Sequence, residues 1–264
     1  MKLLITSALF LLLYSCDKFE YNQYQISPEE GYSDINQKNI NRLSKLAKDT
    51  IRIAIIGDSQ RFYTSTLKII KNINSRNDLD FVIHTGDLVD FGLQREYTGM
   101  HKLLSKIKIP YMAVIGNHDM IANGFEIYKQ MYGDDNFSFY FQNFKFIYLN
   151  TNGMETHFDH SLPNISWLES ELSDTSLFQN ALIINHVPPG HVDFDNSLED
   201  EYREILNASG KVLISINGHN HDYNFYQPEN ETVSYLNSYS TTNEKYIVVK
   251  IWKGNFELEH VSVN

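Results

Sequence analysis

The sequence of 264 residues is poor in cysteine, in basic side chains and in long apolar runs. Its one cysteine, Cys16, excludes a fold held together by disulfides within the chain. Lys and Arg number 22 against 33 Asp and Glu, and the net charge of −11 argues against a nonspecific nucleic-acid binder. The apolar run at 3–13 is shorter than the ~20 residues that a membrane-spanning helix needs. No repeat of fixed period is visible, which excludes coiled coils and solenoids.

The N-terminal segment has the pattern of an export signal. Lys2 precedes the short apolar run, and the small residue Ser15 stands directly before Cys16. The residues Leu13-Tyr14-Ser15-Cys16 resemble the lipobox of bacterial lipoproteins, which implies cleavage before Cys16 and lipidation of its thiol. An ordinary signal peptide that happens to contain a cysteine is the alternative.

This resemblance predicts the organisation of the chain and its location. We expect a signal peptide at 1–15, a polar tether with a short helix at 16–49 and one folded domain at 50–264. The lipid at Cys16 would anchor the protein to a membrane of the bacterial cell envelope, facing the periplasm or the exterior.

Five short apolar runs each end in a cluster of polar residues. Each run has the length and β-branched composition of a buried strand. Helical periodicity between the runs indicates βαβ units and a largely parallel sheet. Because the carboxyl ends of parallel strands lie at one edge of a sheet, the five clusters should converge on one site. The runs lie at 51–56, 81–83, 111–115, 181–184 and 212–216.

Further predicted strands lie close together in pairs, as in hairpins. They occur at 137–141 with 144–149 and at 246–250 with 256–260. Their spacing suggests a second, partly antiparallel sheet packed on the first. Apolar residues at helical spacing also predict helices before the first run and after the first and second clusters.

The polar clusters resemble the motifs of the calcineurin-like metallophosphoesterase family. The family pattern is D-x-H, G-D-x-x-D, G-N-H-[DE], H and G-H-x-H. Five blocks in this order, each after a predicted strand, are far more specific than any one block. The resemblance implies an α/β fold: a four-layer α-β-β-α sandwich of two mixed sheets flanked by helices, with a dinuclear metal site at the strand carboxyl ends. The blocks here are Asp58-x-Gln60, Gly86-Asp87-x-x-Asp90, Gly116-Asn117-His118-Asp119, His186 and Gly218-His219-x-His221.

The resemblance also implies a set of metal ligands. Asp87 would bridge two divalent ions, which polarise a phosphoryl group and share a hydroxide that attacks phosphorus in line. Each residue taken alone could form a turn or cap a helix, but seven together favour metal binding. The remaining ligands would be Asp58, Gln60 and His221 for the first ion, and Asn117, His186 and His219 for the second.

Other residues near the motifs have implied or alternative roles. By resemblance His118 would give a proton to the leaving oxygen, and Asp90 would accept from its other ring nitrogen. A helix N-cap is the alternative for Asp90, and capping is the expected role of Asp119. His84 and His191 are interpreted as a packed and a solvated residue, with contacts to the site or the substrate as the alternative.

Two departures from the family pattern affect the chemistry. Gln60 replaces the usual His, so the first site would be rich in oxygen ligands and would favour Mn²⁺ or Mg²⁺, with Fe or Zn as further possibilities. The manganese-dependent ADP-ribose/CDP-alcohol diphosphatase branch also has Gln there. Phe91 stands where protein Ser/Thr phosphatases have Arg, so their phosphate-binding guanidinium is missing at this position. The segment from Gly86 to Gly92 is more similar to the phosphodiesterase branch.

These inferences predict a metal-dependent phosphoric ester hydrolase that acts on a small phosphorylated substrate. A phosphodiester, a diphosphate and a phosphomonoester all remain open, because family specificity lies in variable loops such as 120–136, 152–165 and 187–204. The alternative is a lipid-anchored binding protein whose metal site is degenerate because of Gln60. No specific nucleic-acid surface is expected, and no oligomeric state is indicated.

Overall fold

The computed structural model describes residues 26, 28–44, 47–173 and 176–263. Cys16 and the predicted signal peptide lie outside these residues. Within the described part of the chain, no helix is both long and apolar enough to cross a membrane. The helices are α1 (Ile35–Ile40), α2 (Tyr63–Ser75), α3 (Gln94–Leu104), α4 (Gly124–Tyr132), α5 (Ile165–Ser173) and α6 (Glu199–Ala208). The strands are β1 (Ile51–Ile56), β2 (Phe81–His84), β3 (Tyr111–Ala113), β4 (Phe137–Phe141), β5 (Phe144–Tyr148), β6 (Asn180–Ile184), β7 (Val212–Asn217), β8 (Asn224–Tyr226), β9 (Ser234–Asn237), β10 (Lys245–Trp252) and β11 (Asn255–Ser262).

Two mixed sheets form the centre of the protein, which confirms the predicted fold class. The five-stranded sheet has the order β11-β10-β1-β2-β3, and the six-stranded sheet has the order β4-β5-β6-β7-β9-β8. Strands β1, β2 and β3 are parallel, as are β5, β6, β7 and β9. Antiparallel strands flank both parallel groups.

The distribution of strands between the sheets differs from the prediction. The five motif-bearing runs do not share one sheet: β1 to β3 lie in the first sheet, while β6 and β7 lie in the second. The hairpins are also divided, with β4 and β5 in the second sheet and β10 and β11 in the first. Both sheets are covered on both faces, so their central strands have the same continuous apolar character and the sequence does not distinguish them. The short strands β8 and β9 were not predicted.

Alternation along β1 shows how the layers are built. Ile53 and Ile55 face the six-stranded sheet and pack in a core with residues such as Phe146, Leu182 and Ile214. Ala54 and Ile56 face the other way, into a core formed with α2, α3 and α4. Successive strand side chains point to opposite faces, so one apolar run serves both cores. Burial of each isoleucine side chain contributes about 1.5–3 kcal/mol relative to exposure.

The second sheet and the sheet edge are covered in the same manner. Ala181 and Ile183 of β6 pack with α5 and α6 in a third core, which completes the four layers. At the edge of the first sheet, the Asn36 amide of α1 pairs with Ala113 of β3: its nitrogen donates to the Ala113 carbonyl (3.0 Å) and its oxygen accepts from the Ala113 N–H (2.9 Å). This side chain replaces a neighbouring strand and protects the edge.

Candidate metal centre

The structure brings all seven predicted ligand residues to one region, at the carboxyl ends of strands from both sheets. Asp58 and Gln60 follow β1, and Asp87 follows β2. The other four, from three further strand ends, are Asn117, His186, His219 and His221. Convergence therefore arises because the parallel strands of the two packed sheets end at the same side of the sandwich.

Most of these residues occupy an unfavourable backbone region. A positive φ costs a non-glycine residue roughly 1–2 kcal/mol, and such residues tend to cluster at functional sites. The sharp turn lets a side chain point back across the end of its own strand. The ligand residues with positive φ are Asp58 (50°), Gln60 (37°), Asp87 (55°), His219 (74°) and His221 (62°).

Four donor atoms for the second predicted ion are already closely spaced. Asn117 Oδ1 lies 3.0 Å from His186 Nε2 and 3.1 Å from His219 Nδ1. The two imidazole nitrogens are 3.3 Å apart, and Asp87 Oδ1 is 3.3 Å from His186 Nε2. Ligands about 2.0–2.1 Å from one ion in a tetrahedral shell stand about 3.3 Å apart. The spacing therefore fits one small divalent cation.

The protonation of His186 leaves no proton between its Nε2 and the nearby oxygens of Asn117 and Asp87. Its Nδ1 donates to the Thr85 carbonyl at 2.8 Å, and burial lowers the pKa of His186, so the ring is neutral. Nε2 consequently bears a lone pair that faces the acceptor oxygens of Asn117 and Asp87. Acceptor atoms that face each other without a proton between them repel each other, and a cation would relieve this repulsion.

Asp58 provides a second indication of a cation site. Its carboxylate is fully buried; Oδ1 accepts from the His219 N–H at 3.0 Å and lies 3.4 Å from His221 Nε2, while Oδ2 has no partner among the described residues. Burial and the neighbouring Asp87 carboxylate raise the pKa of Asp58 well above its ordinary value. A buried carboxylate without a counter-charge is costly, and a divalent ion would supply that charge.

Gln60 lies at the centre with its amide nitrogen toward Asp87. Its Nε2 donates to Asp87 Oδ2 at 3.1 Å, and the side chain is buried. An amide nitrogen has no lone pair for a metal, so ligation would require the carboxamide to present its oxygen instead. Its ligand role stays a prediction.

His219 has two differently occupied ring nitrogens. Nδ1 faces Asn117 and His186, whereas Nε2 lies 3.1 Å from Asp193 Oδ2 and 3.2 Å from His191 Nδ1. Burial, with the neighbouring His186 and His191, lowers the pKa of His219 to about 2. A neutral ring that donates Nε2–H to Asp193 keeps the Nδ1 lone pair for a metal, as carboxylates do for many ligand histidines.

Sequence reasoning missed Asp193. It lies in the Pro-Pro-Gly loop after β6, seven residues beyond His186, where nothing in the local pattern distinguishes it from other acidic loop residues. Its carbonyl accepts from the Met154 N–H at 3.1 Å, and this bond ties its loop to the neighbouring one. Only the fold brings its carboxylate to His219.

His118 is held differently from the prediction. Its N–H donates to Asp87 Oδ1 at 3.0 Å, and its ring Nδ1 donates to the main-chain carbonyl of Asp90 at 2.8 Å. The Asp90 carboxylate is 3.9 Å away and pairs instead with Arg61. Burial lowers the pKa of His118, but nearby groups, chiefly Asp87 and Asp90, together raise it by a larger amount. The pKa of His118 is therefore above its ordinary value.

Neither Asp90 nor Asp119, the two aspartates considered as helix caps, caps a helix in the structure. The N-cap of α3 is Leu93, and Glu96 accepts from the N–H groups of Phe91 and Leu93, so Asp90 caps nothing there. Asp119 is fully buried and connects two site loops. It accepts from the N–H groups of Gly116 (2.8 Å), Leu88 (3.1 Å) and Val89 (3.0 Å).

Two histidines outside the motifs also lie beside the site. His84 is buried under the first loop, where its Nε2 is 2.8 Å from Ser59 Oγ; burial lowers its pKa to about 3, so it is neutral. His191 accepts the Asp193 N–H on Nδ1 at 3.2 Å and so belongs to the cluster around His219.

Comparison with known proteins places these observations in a family. Residues 51–223 match the family described as calcineurin-like phosphoesterase. A 3',5'-cyclic-nucleotide phosphodiesterase of Nostoc sp. is 28% identical over 216 residues, which cover 78% of each chain. The glycerophosphodiester phosphodiesterase GpdQ of Enterobacter lignolyticus is 24% identical over 183 residues, covering 64% of this chain and 66% of that one. Among solved structures, a dimetal phosphatase from Danio rerio superposes with a TM-score of 0.62 at 14% identity, covering 81% of this chain and 96% of that one; this shows a shared fold.

Proposed function

Because the chain belongs to the calcineurin-like phosphoesterase family, whose members hydrolyse phosphoester bonds, we propose that it is a metal-dependent phosphodiesterase with a dinuclear centre. The observation that supports this best is the convergence of Asp87, Asn117, His186 and His219. Their potential metal-ligand atoms lie 3.0–3.3 Å from one another along the cluster. No proton lies between the His186 nitrogen and its oxygen neighbours. The two curated relatives described above are phosphodiesterases, which favours a diester substrate.

The charge of the site also favours diesters. Asp193 and Glu155 lie near the ligands, and burial together with Asp193 raises the pKa of Glu155. A phosphodiester bears one negative charge, whereas a phosphomonoester bears close to two at neutral pH. These additional carboxylates near the ligands therefore disfavour the monoester more strongly.

The proposed mechanism divides the work between the ions and the chain. Two divalent ions would polarise the phosphoryl group and lower the pKa of a water molecule. We expect Mn²⁺ to be preferred over Fe, Zn or Mg²⁺. One ion would be held by Asp87, Asp58, Gln60 and His221. The other would be held by Asp87, Asn117, His186 and His219. The Nδ1–H of His118 donates to the Asp90 carbonyl. Nε2 is therefore the nitrogen that can give a proton to the leaving oxygen. Asp119 fixes the loops that bear Asp87 and Asn117 relative to each other.

The experiment is a metal and turnover measurement on the full-length chain in detergent. We expect metal-dependent hydrolysis of bis-p-nitrophenyl phosphate, loss of activity after chelation, recovery with Mn²⁺ and slower hydrolysis of p-nitrophenyl phosphate. Weak metal binding together with no turnover of either compound would instead support the lipid-anchored binding protein with a degenerate site.

We also propose that the enzyme is anchored to the cell envelope by lipid on Cys16. The sequence pattern around this residue supports the proposal. Cys16→Ser should give either a protein that no longer partitions with membranes or an unprocessed precursor, because no other thiol can accept the lipid. A wild-type protein that stays wholly in the aqueous phase after detergent phase separation would contradict the anchor.

A further inference from the structure

A guanidinium that the family motifs do not assign contacts Asp90, the residue whose carbonyl binds the proposed proton donor. Arg61 directly follows Gln60, and its side chain is 66% exposed. Its Nη1 contacts Oδ2 of Asp90, a side chain that is only 7% exposed. The Arg61 guanidinium carbon also lies 5.8 Å from the centre of the Phe62 ring.

Asp90 links this guanidinium to the proposed proton donor, His118. The main-chain carbonyl of Asp90 accepts from His118 Nδ1 at 2.8 Å, and the His118 N–H donates to Asp87. Arg61 is therefore separated from His118 by one residue. A guanidinium has five N–H donors, and its one hydrogen bond within the described part of the chain is to Asp90. The remaining donors are available on an exposed side chain.

The charge of the surroundings gives these donors a function. The ligand set and its neighbours are rich in carboxylates, including Asp58, Asp87 and Asp193. An anionic substrate approaching this region gains from any fixed cation, and the planar fork of Arg matches two phosphate oxygens. Phe91, at the position of the phosphatase Arg, is an exposed apolar side chain and cannot supply that contact.

We infer that Arg61 binds a non-bridging phosphoryl oxygen of the substrate beside His118, with the buried Asp90 carboxylate holding the guanidinium in place. The inference rests on the proposed phosphodiesterase function. Arg61 supplies the counter-charge that the buried Asp90 carboxylate needs, while most of its own side chain stays exposed and can also meet a ligand. Arg61 would supply from the first loop the positive charge that Arg supplies from the second loop in protein phosphatases.

The test compares Arg61→Gln and Arg61→Lys with the wild type, and Arg95→Gln is the matched control. Arg95 is exposed on α3 and makes no hydrogen bond or ion pair with Asp90 or His118, and its replacement by Gln removes the same charge. For Arg61→Gln we expect kcat/KM for bis-p-nitrophenyl phosphate to fall about 10- to 100-fold, the loss typical of one hydrogen bond to a charged group. Binding of inorganic phosphate to the Mn²⁺-loaded protein, measured by calorimetry, should weaken by a similar factor. Arg61→Lys should lose less, and Arg95→Gln should match the wild type.

Metal content separates substrate binding from a structural effect. Arg61→Gln should bind as much Mn²⁺ as the wild type. An Arg61→Gln variant with unchanged kcat/KM and unchanged phosphate affinity would overturn the inference, and so would a loss of metal that accounts for the whole effect. If the wild type binds Mn²⁺ but hydrolyses neither ester, the proposed function fails, while the phosphate measurement still decides the role of Arg61.

Discussion

Asp193 Oδ2 lies 3.1 Å from His219 Nε2, on the side of the ring away from Asn117 and His186. This relationship joins a loop residue after β6 to a predicted ligand after β7. It favours a proton on Nε2 and a lone pair on Nδ1, the nitrogen that faces Asn117 and His186, because the nitrogen that donates to a carboxylate cannot also bind a metal. We therefore expect Asp193 to position His219 in the proposed metal centre.

Removal of the Asp193 carboxylate should weaken metal binding. We expect Asp193→Ala to lower Mn²⁺ affinity about 10- to 100-fold, the usual effect of losing a carboxylate that supports a ligand histidine. Calorimetric titration with Mn²⁺ measures this without reference to activity. Asp193→Glu should restore part of the affinity, and Asp200→Asn, an exposed change on α6, is the control. Unchanged Mn²⁺ affinity in Asp193→Ala would refute the positioning role.

Loss of the His118 imidazole should depend on the leaving group. His118→Ala should retain both metals and slow hydrolysis by roughly 10²–10⁴-fold for alkyl phosphodiesters, which need a proton on the departing oxygen. Release of p-nitrophenol needs less help, so the loss with bis-p-nitrophenyl phosphate should be smaller. Equal losses with alkyl and nitrophenyl esters would argue against proton donation.

Gln60 should influence which metal is preferred. If its side-chain oxygen ligates, Gln60→His should shift the preference from Mn²⁺ toward Zn²⁺, because imidazole suits Zn²⁺. Competitive binding of the two ions, followed by metal analysis, measures the shift. Gln60→Ala separates ligation from mere proximity. The ligand prediction would be wrong if that variant kept the affinity and the preference of the wild type.

Asp119 should stabilise the fold as well as the site. Asp119→Ala leaves the three N–H groups of Leu88, Val89 and Gly116 without their acceptor. We expect the free energy of unfolding of the metal-free protein to fall by about 1–3 kcal/mol or more, measured by urea denaturation. Asp119→Asn keeps one acceptor oxygen and should be less severe. A midpoint equal to that of the wild type would show that water replaces the carboxylate without cost.

Much of the fold and the location of the site could be predicted from the sequence. Each motif follows a short β-branched run, and β1, β2, β3, β6 and β7 all form where those runs occur. The helix after the second cluster also forms, because Tyr97, Met100 and Leu104 share one buried face. These features depend on local periodicity, which a single sequence displays directly.

The features that the sequence did not predict depend on long-range geometry. Asp193 reaches His219 only because the loop after β6 folds over the end of β7, and Asp119 reaches Leu88 and Val89 only because β2 and β3 are adjacent. The division of strands between two sheets has the same origin, since apolar runs buried on both faces have no local sign of their partners. For Asp90, residue type alone does not reveal that its carbonyl and not its carboxylate meets His118.

The most direct test of the account is the metal content of Asp87→Asn beside the wild type, after saturation with Mn²⁺ and removal of free ion. Asp87 Oδ1 lies 3.3 Å from His186 Nε2 and its Oδ2 accepts from Gln60, so this carboxylate is the group that would join both sites. We predict two ions per wild-type chain, at most one in the variant, and about 10³-fold slower hydrolysis with an unchanged circular dichroism spectrum. An Asp87→Asn protein that keeps both ions and near-normal turnover would contradict a dinuclear centre bridged by Asp87.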